Sequence, residues 1–143
     1  MQDAPMQLSS IMTPDPIVVA PDNSVHHALG ILLRHGFRHL LVTEERSLVG
    51  VVSDRDLFRN LSPFIDKLAE RTRDRATLKR RIHQIMSRHP VTASPDIDTR
   101  DAAQLMLKNA VSCLPIVENG RLVGIVTSRD LLASTVSRSF PAA

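Results

Sequence analysis

Aromatic side chains are scarce in this 143-residue chain, which has four Phe and neither Tyr nor Trp. The core must therefore be aliphatic, and a planar ligand would lie between branched aliphatic side chains rather than on a ring. Stacking platforms for single-stranded nucleic acid are missing as well. The single cysteine, Cys113, can form no internal disulfide and fits a reducing compartment. No apolar run approaches the ~20 residues that span a bilayer. The first residues, Met1 to Pro5, lack the basic stretch and apolar segment of a secretory signal. These absences predict a cytoplasmic protein with no membrane span. Also missing are a Walker loop, G-x-G-x-x-G, G-x-S-x-G, HExxH and CxxC, so a nucleotide here would be bound rather than hydrolysed or reduced. His26 and His27 are adjacent, point to different faces of a helix and make a poor chelate, so no metal is expected. No constellation supports an enzyme.

What remains is an ordinary soluble composition, 43% apolar and 23% charged, with a net charge of +3 and a pI near 9.7. That balance favours anionic partners without choosing among nucleotide phosphates, nucleic acid and acidic proteins.

The sequence repeats itself. Shifted by 74 residues, positions 11–58 lie over 85–132 without a gap, and 16 of 48 are identical, where average composition gives roughly three by chance. The copies open Ile11-Met12-Thr13 and Ile85-Met86-Ser87. They close Gly50-Val51-Val52-Ser53-Asp54-Arg55-Asp56-Leu57 and Gly124-Ile125-Val126-Thr127-Ser128-Arg129-Asp130-Leu131.

Each copy carries the same order of local signals. Ile17-Val18-Val19 and Val91-Thr92-Ala93 are short β-prone runs before a Pro-Asp turn. Ser24 and Asp98 are N-caps for helices whose apolar stripes run through Val25, Ala28, Leu29, Leu32 and Gly36, and through Ala102, Ala103, Met106 and Ala110. Two strands follow, at 38–43 with 47–53 and at 112–118 with 121–127, the second pair joined by the hairpin signal Asn119-Gly120. A further helix starts near Asp54 and Ser128. The expected fold is α/β (α+β), a tandem β-α-β-β-α repeat. A single copy of about 50 residues buries too little surface to stand alone, so the copies are expected to pack sheet to sheet about a pseudo-twofold axis.

The expected organisation is a first repeat at 8–61, a helical linker at 62–84 and a second repeat at 85–135. In the linker, Leu61, Phe64, Ile65 and Leu68, then Leu78, Ile82, Ile85 and Met86, keep helical stripes. Between Asp66 and Ile82 lie Lys67, Arg71, Arg73, Arg75, Lys79, Arg80 and Arg81 against Asp66, Glu70 and Asp74, an excess of four positive charges. A solvated helix face is the commoner explanation, and contact with nucleic acid the rarer one.

The duplicated β-α-β-β-α unit, opening Ile-Met-(Thr/Ser) and ending Gly, two apolar residues, (Ser/Thr)-x-Arg-Asp-Leu, resembles a CBS-domain pair, or Bateman module, over residues 8–135. With no fused domain, the chain is similar to stand-alone pairs such as the acetoin-utilisation type. The resemblance implies a regulatory module that binds adenosyl compounds (AMP, ADP, ATP, S-adenosylmethionine, sometimes NAD) in two clefts between the copies. It further implies a homodimer, an adenine nucleotide as regulatory ligand rather than cofactor, and an unknown downstream protein. The rival reading is a protein or nucleic-acid interaction module that uses the basic linker and senses no nucleotide.

By the same resemblance, Asp56 and Asp130 accept the ribose hydroxyls, while Ser53 and Thr127 face phosphate with the free N–H groups of the helix start. Arg55 and Arg129 either reach phosphate or form surface ion pairs. Ile17 and Val91 flank the base, and Arg38, His39 and Leu40, with Ser112, Cys113 and Leu114, line the opposite wall. Unequal affinities are expected, with phosphate better served near Arg38. The spacing alone is equally that of a capping box, in which Ser53 with Asp56, and Thr127 with Asp130, satisfy free N–H groups without any ligand.

Overall fold

A computed structural model describes residues 6–60 and 79–139. Among these it is mixed α/β, with strands β1 (Thr13–Pro14), β2 (Val18–Val19), β3 (His39–Glu44), β4 (Ser47–Ser53), β5 (Ser87–Arg88), β6 (Cys113–Glu118) and β7 (Arg121–Thr127). The α-helices are α1 (Val25–His35), α2 (Asp54–Arg59), α3 (Thr99–Asn109) and α4 (Ser128–Ser139), and short 3-10 turns cover Leu8–Ser10 and Ile82–Gln84. The hairpins and helix starts stand within a residue of where the sequence puts them. Residues 61–78, the larger part of the expected linker, lie outside the described residues.

The chain forms two compact units. One takes residues 17–60 and 79–90, the other 6–16 and 91–139. It passes from one to the other after Pro16 and back after Pro90, equivalent positions of the repeat. Each proline follows a residue in the left-handed region, Asp15 (φ 46°) or His89 (φ 55°).

The units therefore do not coincide with the copies, because each copy's leading segment packs on the other copy's sheet. In the unit of residues 17–90 the sheet order is β2-β3-β4-β5, with β5 pairing antiparallel to β4 through Gly50↔Arg88 and Val51↔Ser87. Ile82, just before β5, is fully buried with Val19, Val25, Leu40, Val42, Val52 and Leu57. The other unit repeats this with β1 on β7, and Leu8 is fully buried with Leu114, Ile116 and Val126. Leu8 N–H donates to the Ile97 carbonyl (3.0 Å) and Ile82 N–H to the Asn23 carbonyl (2.9 Å), so both attachments use the same bond.

One expected strand does not form. Val18 and Val19 pair in parallel with Leu41 and Val42, whereas Val91-Thr92-Ala93 makes only the isolated bridge Ala93↔Ile116. Pro115 stands where the first copy has Leu41. Pairing at that position needs an N–H that proline lacks, so the ladder stops at one bridge, held by Ala93 N–H to the Pro115 carbonyl and Val117 N–H to the Ala93 carbonyl.

The helices start as the sequence predicts. The Ser24 hydroxyl accepts from His27 N–H at 3.0 Å, and Asp98 Oδ1 accepts from Arg100 N–H at 2.9 Å. Their ends differ. Both close in the left-handed conformation, α1 on Gly36 (φ 68°) and α3 on Ala110 (φ 54°). A Cβ in that conformation costs roughly 1–2 kcal/mol, only partly offset by the greater chain entropy of glycine. Ala110→Gly is thus expected to stabilise the protein by about 0.5–1 kcal/mol, read as a higher denaturant midpoint at unchanged slope. The hairpin tips tell the same story: Asn119-Gly120 and Glu45-Arg46 all adopt positive φ, the geometry of a tight two-residue turn. Only the second copy has the residues that prefer it.

Candidate functional site

In both copies a strand runs directly into a helix, β4 into α2 and β7 into α4. Ser53 Oγ accepts from Asp56 N–H (3.0 Å), and Asp56 Oδ2 accepts from Ser53 N–H (3.0 Å). The second copy repeats this, with Thr127 Oγ1 accepting from Asp130 N–H (3.2 Å) and Asp130 Oδ2 accepting from Thr127 N–H (2.8 Å). Both motifs are thus complete capping boxes. Each box occupies one carboxylate oxygen. Oδ1 of Asp56 and of Asp130 has no hydrogen-bond partner among the described residues, and both side chains are only half-buried. An anionic oxygen held in place and open to solvent is a ready acceptor for a hydroxyl.

The strand register sets the neighbours. His39 lies opposite Ser53 and Cys113 opposite Thr127, so each pair shares a face with side chains in reach of one another. Asp54 N–H donates to the Arg38 carbonyl (2.8 Å) and Ser128 N–H to the Ser112 carbonyl (2.9 Å), closing strand start onto helix start. In the unit of residues 17–90 this gathers Arg38, His39, Ser53 and Asp56 at one sheet end. Ile17, just before β2, is 41% exposed. The other unit gathers Ser112, Cys113, Thr127 and Asp130, while Val91 is half-buried against its core. Arg38, Arg55, Ser112 and Arg129 are exposed. Leu40 and Leu114, 1% and 0% exposed, belong to the two cores and offer no open surface to a ligand.

The equivalent residues His39 and Cys113 differ electrostatically. Burial lowers the pKa of His39 below its ordinary 6.5; Asp54 and Asp56 pull it back up, and Arg38 adds to the depression. The unfolded chain therefore takes up this proton first, so the stability held by neutral His39 is present above pH 6.5 and is lost as pH falls through the folded value. Burial pushes the Cys113 thiol up to about 11 from 9.0. Its contribution runs the other way, intact below pH 9 and lost as pH rises toward 11. The thiolate is the nucleophile, and two pKa units remove about 99% of it near pH 8. Iodoacetamide is therefore expected to label native Cys113 about a hundredfold more slowly than the same cysteine in the denatured chain.

The sequence reading passed over Asp54, whose charge bears on His39. Its only signal was an acidic residue where the second copy has Ser128. Of the basic linker, Arg80 Nη1 donates to Asn60 Oδ1 (2.8 Å) and Arg81 Nη1 to the Asp22 carbonyl (2.9 Å); both tie the segment to its own unit. Lys67, Arg71, Arg73 and Arg75 lie outside the described residues. Among the described residues no group of three or more His, Cys, Asp or Glu is placed to hold a metal, and no helix is long and apolar enough to cross a membrane.

The architecture is shared with solved proteins. A protein assigned to acetoin utilization (AcuB) from Vibrio cholerae superposes with a TM-score of 0.80 at 20% identity, covering 95% of this chain and 94% of that one. CBSX2, solved in complex with AMP, gives 0.78 at 28% identity over 94% of this chain and 98% of its own. The CBS-domain pair of protein MJ0100, in complex with 5′-methylthioadenosine and S-adenosyl-L-methionine, gives 0.75 at 28% over 94% and 99%. Some curated relatives are much longer. An inosine-5′-monophosphate dehydrogenase of Korarchaeum cryptofilum, 31% identical over 132 residues, takes in 92% of this chain, which spans 25% of that enzyme. The model of the CBS domain matches residues 8–63 and again 82–136. Each match begins at one of the exchanged leading segments, at Leu8 and Ile82, and the chain belongs to the CBS-domain family.

Proposed function

We propose that this chain is a non-catalytic regulatory module that binds adenosyl ligands, AMP, ADP, ATP or S-adenosylmethionine, at its two aspartate-centred strand-to-helix junctions. The observation that carries this reading is the doubled capping box, which fixes Asp56 and Asp130 by one oxygen and leaves the other open on each. A ribose diol offers two O–H donors to such an acceptor. Beside Asp56, Arg38 supplies a cation for phosphate, and Ile17 supplies exposed apolar surface for a base. The adenosyl ligands held by CBSX2 and by the MJ0100 pair support the same class of compound here. Occupancy would then alter the surface shown to a downstream protein, as in an energy or metabolite sensor.

A homodimer is part of the proposal. Leu33 and Leu107, equivalent in the repeat, are 69% and 83% exposed, and Phe58 and Leu132, equivalent to each other, are 56% and 69% exposed. Both units thus present helices with uncovered apolar side chains that a second copy would bury.

The test is a thermal-shift panel with AMP, ADP, ATP, S-adenosylmethionine and NAD. Ligand at a hundred times its dissociation constant adds ~2.7 kcal/mol, expected as a rise of roughly 5–10 °C for a chain of this size. Five unmoved melting points would sink the reading.

A further inference from the structure

The repeat places different chemistry at one position of its two junctions. His39 lies opposite Ser53, whose backbone amide is held by Asp56. Cys113 lies opposite Thr127, whose amide is held by Asp130 in the same way. The register, the capping box and the bond from the helix start to the residue before the strand are common to both. Among the described residues, the charged groups acting on His39 are Asp54 and Asp56 from α2 and Arg38, just before its strand. The neighbouring β2 contributes only the apolar Val18 and Val19. An imidazole set among two carboxylates and a guanidinium is one proton away from adding a cation to that cluster.

We infer that the Asp56 junction is a proton-linked anion site and the Asp130 junction is not, because His39 occupies in the first the position that Cys113 occupies in the second. This rests on the adenosyl-ligand reading above. A phosphate brought to Arg38 and Asp56 favours the protonated imidazole, so by linkage its affinity rises as pH falls into the range where His39 takes up its proton. The buried thiol at Cys113 stays neutral throughout that range and supplies no such term. A phosphate-free ligand such as 5′-methylthioadenosine gains nothing from the proton at either junction. Acidification would then shift the first junction toward phosphorylated nucleosides and leave the second as it was.

The two junctions are separated by measuring AMP binding calorimetrically at pH 5.5 and 7.5 in Asp130→Asn, which leaves the Asp56 junction, and in Asp56→Asn, which leaves the other. Ionisation of AMP itself acts alike on Asp130→Asn with and without His39→Gln, so that comparison isolates the imidazole. The ratio of the two junctions' affinities is expected to move about three- to tenfold in favour of the Asp56 junction at pH 5.5. Adding His39→Gln to Asp130→Asn should abolish the movement, and 5′-methylthioadenosine should show none. A ratio that stays constant with pH, or moves equally with Gln at position 39, overturns the inference while leaving nucleotide binding intact. Absence of AMP binding to the unsubstituted protein at both pH values would instead remove the functional reading, and this inference with it.

Discussion

Gly50→Ala lowers the stability of the protein by about 1–3 kcal/mol, and Gly124→Ala does the same in the other unit. A Cβ on Gly50 would stand 2.6 Å from the sulfur of Met86 and 2.9 Å from the Ser87 carbonyl oxygen; on Gly124 it would stand 2.6 Å from the Met12 sulfur and 3.0 Å from the Thr13 carbonyl. Both glycines are buried, and the methionine can swing away more cheaply than a paired strand can. In a double-mutant cycle with Met86→Ala, whose own cavity cost is subtracted, the coupling should therefore equal only the part of the loss that belongs to the sulfur. The two glycines share no neighbour, so the double variant should lose the sum of the two, roughly 2–6 kcal/mol in chemical denaturation. Wild-type unfolding midpoints for both single variants would mean that β5 and β1 do not sit against these glycines.

The larger functional effect is expected from Asp56→Asn combined with Asp130→Asn, which should erase the ligand-induced rise in melting temperature and leave the ligand-free melting temperature within about 2–3 °C of wild type. The substitution separates the two tasks of each carboxylate. An asparagine side-chain oxygen can still accept the N-cap amide at positions 53 and 127, so the box survives. It lacks the charge that makes the second oxygen a strong acceptor for a diol, and hydrogen bonds to charged groups are worth about 1.5–3 kcal/mol. Alanine would remove both tasks at once and could not tell them apart. If the double asparagine variant responds to nucleotide as the wild type does, the aspartates serve their own helices and nothing more.

The fold was largely legible because the duplication states each signal twice. Ser24 and Asp98 differ in identity but cap the same helix, and the hairpin is written plainly in Asn119-Gly120 even where Glu45-Arg46 conceals it. Local signals fail where the partner is distant in sequence. Thr13–Pro14 and Ser87–Arg88 are two-residue strands rich in turn formers, and nothing nearby says that they pair with Gly124 and Gly50. Nor does anything local say what approaches the two glycines, which is Met86 with the Ser87 carbonyl and Met12 with the Thr13 carbonyl. The strand expected at Val91-Thr92-Ala93 is lost to Pro115, because a β-prone run does not show that the position opposite it lacks an N–H. At the candidate site, the spacing of Ser53 and Asp56 could not decide between cap and ligand, since one side chain has oxygens enough for both.

Because Leu8 completes the core that holds Leu114, and Ile82 the core that holds Leu40, neither copy owns all the side chains that its sheet needs. A peptide carrying one copy alone would have an N-terminal arm with no home on its own sheet and a groove with no arm to fill it. Its shortest way to a closed core is domain swapping with an identical molecule, so half of this protein should behave as a concentration-dependent pair rather than as a small stable domain.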